Sequence, residues 1–96
     1  MSRLEASRIV EVTRRAADLF NQWTLGDPEM EVREIRGSTV ELLLRQGCAC
    51  SLDFSLKEEV ERAFREAGAE VEARVEAWDV EEGGYRASVV IKKLLG

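Results

Sequence analysis

Histidine is absent from the chain. Its absence removes the commonest general base, the commonest metal ligand and every Ser-His or Cys-His arrangement for nucleophilic catalysis. Cysteine occurs only at Cys48 and Cys50, too few and too close together for a disulfide framework. In an extended strand their Cα atoms would stand about 6.5–7 Å apart, at the upper edge of what a disulfide spans. Both are therefore read as reduced thiols. No apolar run approaches the roughly 18–20 residues that cross a bilayer. The N-terminal stretch 1–10 alternates Arg, Glu and apolar residues and has no signal-peptide hydrophobic region. A cytoplasmic location without a membrane partner is the expectation. Cations are also in deficit: 14 Lys and Arg against 19 Asp and Glu leave a net charge of −5. Nucleic-acid binding draws most of its affinity from Lys and Arg on phosphates, so this acidic balance argues against it. Proline is nearly absent and lysine scarce while Arg and Glu abound. That balance suits a thermophilic protein with surface ion-pair networks, or a designed one.

What is present reads as one domain over 1–96, 45% hydrophobic and 34% charged. The spacing of Ile9, Val12, Ala16, Leu19 or Phe20, and Trp23 predicts a helix over 3–23 with one buried face, opened by a Ser2–Glu5 capping box and closed at Gly26-Asp27-Pro28. From 30 to 54 the period changes to two. Gly37-Ser38 suits a two-residue hairpin turn with Gly first, setting Ile35 opposite Val40 and Val32 opposite Leu43. Arg45-Gln46-Gly47 suits a three-residue loop that pairs Leu44 with Cys48, Leu42 with Cys50 and Val40 with Leu52.

A second helix is expected from Ser55, with a Ser55–Glu58 capping box, i,i+4 pairs Glu58/Arg62 and Glu61/Arg65, a core stripe of Val60, Phe64 and Ala67, and Gly68 as its stop. Two more strands, over 69–78 and 85–94, pair with Ala77 opposite Ala87, Val75 opposite Val89 and Ala73 opposite Ile91; Glu72 then meets Lys92 and Trp78 meets Arg86 on the other face. The element order is α-β-β-β-α-β-β. The expected fold is α+β: a two-layer sandwich of a mainly antiparallel five-stranded sheet with two helices on one face. No internal repeat stands out.

Cys48 and Cys50 are the residues most able to carry unusual chemistry. In the register above both face the core, where free cysteine is common. The alternative is a thiol-based metal-binding or redox role. Against it, two sulfurs fall short of the four N or S ligands of zinc and iron–sulfur sites, and no helix start or close cation activates either thiol. The strand–cysteine–helix run resembles faintly the small domains of iron–sulfur assembly proteins, which carry Cys-x-x-Cys where this chain has Cys48-Ala49-Cys50; it assigns no family. The glutamates of the C-terminal half read as a solvated face, and Asp79 to Glu82 is too short for an EF-hand loop. No catalytic residue, cofactor or metal site is expected. Val32, Leu43, Trp78 and Val90 are expected to point away from the helices as an apolar patch on a charged domain, the mark of a protein interface. The chain reads as a non-enzymatic module that binds a protein partner or forms a homo-oligomer.

Overall fold

The computed structural model describes residues 3–26, 28–45, 54–79 and 84–95, and side chains within these except at 3–5, 54–55 and 77–79. Six elements follow in chain order: helix α1 (Arg3–Thr24), strands β1 (Glu29–Arg36) and β2 (Thr39–Arg45), helix α2 (Phe54–Ala67), and strands β3 (Ala69–Asp79) and β4 (Gly84–Leu94). The strands form one antiparallel sheet in the order β1-β2-β4-β3. Ile9, Ala16 and Phe20 of α1 share a single core with Val60, Ala63 and Phe64 of α2 and with the sheet residues Val40, Leu42, Leu44, Ala87 and Val89. Both helices therefore lie on one face of the sheet, and the fold is α+β.

The described sheet has four strands rather than five. The place expected for the segment 48–54 is already filled. One edge of β2 pairs with β1 and the other with β4, so Leu44 lies between Met30 and Tyr85, Leu42 between Val32 and Ala87, and Val40 between Ile35 and Val89. A strand has two edges, which overturns the expected pairing of Leu44, Leu42 and Val40 with Cys48, Cys50 and Leu52. Phe54 opens α2; residues 46–53, including both cysteines, lie outside the described residues.

Buried positions in α1 are Ile9, Thr13, Ala16 and Phe20, spaced four, three and four apart. This is the helical period, rotated slightly from the apolar stripe: Val12 and Leu19 are only partly buried, and Trp23 is 37% exposed with the Arg62 guanidinium 5.0 Å from its ring centroid. Arg62 thus stacks on Trp23, a cation–π contact. The helix ends in a Schellman motif. Gly26 N–H donates to the Asn21 carbonyl (3.0 Å) and Leu25 N–H to that of Gln22 (3.4 Å), with Leu25 at φ 56° and Gly26 at φ 84°. The Asn21 side chain then clamps the next strand: its Oδ1 accepts from Met30 N–H at 2.6 Å, and its Nδ2 donates to Met30 O at 3.3 Å.

The Gly37-Ser38 turn forms with Gly37 at φ 56°, and Ile35 faces Val40 as expected. Further along, a bulge at Arg33 absorbs one residue, so Val32 faces Leu42 instead of Leu43. In α2, Val60, Phe64 and Ala67 are buried as expected, and Gly68 at φ 114° stops the helix. The β3–β4 register is slid by two residues from the expected one: Ala73 faces Val89, Val75 faces Ala87 and Ala77 faces Tyr85. A two-residue slide keeps every side chain on its face, so alternation alone does not distinguish the two registers.

Candidate interaction surface

The sheet face away from the helices is built by the register in rows. Arg36, Thr39, Val90 and Glu72 make one row; Glu34, Glu41, Ser88 and Arg74 the next; Glu31, Leu43, Arg86 and Glu76 the third. Lys92 reaches Glu72 at 3.3 Å and Arg36 reaches Glu34 at 3.0 Å. Ser88 Oγ donates to Glu41 Oε1 at 3.4 Å across the second row.

Leu43 shows what the charges do. It points outward yet is only 7% exposed, and its row neighbours are Glu31 and Arg86. Arg45 Nη2 lies 3.1 Å from Glu31 Oε2, an ion pair without hydrogen-bond geometry that sets a positive charge beside an oxygen shielded from water. A shallow depression of 520 Å³ lies beside Leu43, with Arg33, Arg36, Arg86, Glu34 and Glu41 around it. Leu42 and Leu43 line it together with charges of both signs.

Of the expected apolar patch, Val32, Leu43 and Val90 have described side chains, and two of these three are on this face. Val32 is not: the Arg33 bulge turns it inward, where it packs against the core. Leu43 and Val90 do point outward, but the Ser88–Glu41 row separates them. Val90 is 43% exposed and Leu43 is covered, so the two make no continuous patch. Trp78 belongs to β3, its side chain lies outside the described residues, and Arg86 faces Glu76 instead. Cys48 and Cys50 also fall outside them. Among the described residues no group of three or more Cys, Asp or Glu could hold a metal ion, and no helix is long and apolar enough to cross a membrane.

One contact carries more than its residue type suggests. Glu61, expected to pair with Arg65, reaches from α2 to β3, where its Oε2 accepts a hydrogen bond from Ala73 N–H at 3.0 Å. Periodicity marks Glu61 as a surface residue, and only the packing of α2 beside β3 brings it to that amide.

No protein-family model matches the chain, and no curated protein matches it in sequence. Its fold is similar to that of subunit 3 of the trafficking protein particle complex from Naegleria fowleri, solved covalently bound to palmitic acid. The TM-score is 0.52 at 12% identity, over 83% of this chain and 58% of that one. The chain thus spans little more than half the length of that subunit, and at this identity the likeness is one of fold.

Proposed function

We propose that this chain is a non-enzymatic, cytoplasmic association module that binds a protein partner, or a second copy of itself, through the outer face of its sheet. The observation that carries the reading is the asymmetry of the two layers. Both helices cover one sheet face, no described element covers the other, and Val90 stands 43% exposed in the row Arg36–Thr39–Val90–Glu72. An exposed apolar centre with a charged rim is how many transient interfaces are built. The fold likeness to a protein named as a subunit of a larger complex supports the reading. Sedimentation equilibrium and photo-crosslinking from position 90 test it. Val90→Glu is expected to weaken association about tenfold, equivalent to about 1.4 kcal/mol. A wild-type chain that stays monomeric at its highest soluble concentration, with no crosslinked partner, refutes it.

A second reading places a thiol function, metal-binding or redox, at Cys48 and Cys50. It is favoured by the occupied edges of β2, which remove the strand pairing that would have buried both sulfurs against Leu42 and Leu44. Thiol titration of the native protein, together with its metal content, decides it: both thiols are expected to react without denaturant. If they react only after unfolding and no metal co-purifies, this reading fails.

A further inference from the structure

The edges of the sheet are not alike. β1 is an edge strand broken by the Arg33 bulge, and bulges twist an edge out of register for pairing. β3, the opposite edge, keeps a regular register with β4 from Val71 to Ala77. Its Ala73 amide is given to the Glu61 carboxylate at 3.0 Å and so points away from β4, toward the edge that no described strand pairs with. Beside it, a depression of 580 Å³ runs from Lys57 of α2 past Glu72, Ala73, Arg74 and Val75 of β3 onto Ser88 and Val90 of β4.

The β3 sequence is self-complementary about Ala73. If two copies paired antiparallel with a two-fold axis at that residue, each Glu72 would face the other copy's Arg74, and each Val71 the other's Val75. Opposite charges and paired β-branched residues are the cross-strand partners that stabilise a sheet. The two Ala73 residues would exchange both backbone hydrogen bonds, as directly opposed residues of a hydrogen-bonded antiparallel pair do. Glu70 would face Glu76, but each already has a basic neighbour on β4, Lys93 and Arg86. The axis stands normal to the sheet, so the helices of both copies stay on one face.

We infer that the β3 edge is a strand-pairing site for a second copy of this chain, held shut by Glu61. The carboxylate occupies the donor that would form the central bond of a continuous eight-stranded sheet. The inference is independent of the outer-face reading, since strand addition proceeds in the plane of the sheet.

Light scattering after gel filtration tests it, with far-UV circular dichroism to verify folding. Glu61→Ala is expected to tighten self-association about tenfold or more relative to wild type. Glu61→Gln keeps an acceptor and is expected to behave as wild type. Adding Ala73→Pro to Glu61→Ala removes the freed N–H at an edge position that tolerates proline, and should return the wild-type mass. Adding Val90→Glu should leave the new dimer intact, which separates this result from loss of the outer-face contact. If Glu61→Ala fails to fold, Glu61→Arg removes the acceptor while keeping a long side chain on the helix. A folded acceptor-less variant with the wild-type mass distribution, or a dimer that persists with Ala73→Pro, overturns the inference.

Discussion

At the scale of single residues, Thr13 is the position where chemistry and environment disagree. It is 1% exposed, between the buried turns of Ile9 and Ala16, and its Oγ1 has no hydrogen-bond partner. A hydroxyl removed from water without a partner costs about 1–3 kcal/mol. Valine has nearly the same shape and carries no such penalty. Thr13→Val is therefore expected to raise the denaturant midpoint by an amount equivalent to about 1 kcal/mol, with an unchanged m-value; a lowered midpoint would show that the hydroxyl is bonded in solution. Thr13 was also invisible to hydrophobic patterning. A stripe drawn through apolar residues takes in Val12 and Leu19, whereas the buried face is centred further round the helix, on the side of the polar Thr13. Phe20, Val60 and Phe64 raise no such ambiguity, because large apolar side chains at helical spacing have no comparably stable place but the core.

At the scale of elements, the end of α1 holds backbone strain. Leu25 takes the left-handed C′ position that glycine fills at least penalty, and its side chain is 92% exposed. Leu25→Gly is expected to stabilise the chain by about 1 kcal/mol, a rise in Tm of about 4–8 °C for a domain of this size. Leu25→Ala keeps the β-carbon and should change little. Equal Tm values for the Gly and Ala variants would place Leu25 outside the left-handed region. The same helix end explains a partial reading from sequence: Gly26 is a sound stop signal, but the left-handed turn begins one residue earlier. Strands show the complementary pattern. The faces of β2 and β4 are readable from alternation, since period two sorts Val40, Leu42 and Leu44 from Thr39, Glu41 and Leu43 whatever their partners, whereas the expected fifth strand is not in the described sheet and Val32 faces inward rather than outward. Partners are not readable in this way. The Arg33 bulge leaves no compositional trace, the two-residue slide of β3 on β4 conserves every face, and the apolar pattern of 48–54 matched β2 as well as the strands that actually flank it.

At the scale of the whole molecule, the described elements fall into two α-β-β halves, α1-β1-β2 and α2-β3-β4, with β2 and β4 meeting at the centre and β1 and β3 at the edges. The buried helix positions Ile9, Thr13, Ala16 and Phe20 recur 47 residues on as Leu56, Val60, Ala63 and Ala67. This repeat escapes a scan for identities because only burial is repeated: Thr13 corresponds to Val60 and Phe20 to Ala67. The outer-face surface is likewise readable only once the halves are joined, because its rows run across strands from both. Joining them has a polymer-physics consequence. Within the β1–β2 hairpin, paired residues lie between 3 and 16 positions apart, whereas the β2–β4 pairs join Arg45 to Gly84 and Thr39 to Val90, 39 and 51 positions apart. Loop-closure entropy grows with the logarithm of that separation, so closing the nearest central pair requires about 2 kcal/mol more chain ordering than closing the nearest hairpin pair. Each half carries its own local contacts, and this long-range seam, with the core that α1 and α2 share above it, joins them into one cooperative unit.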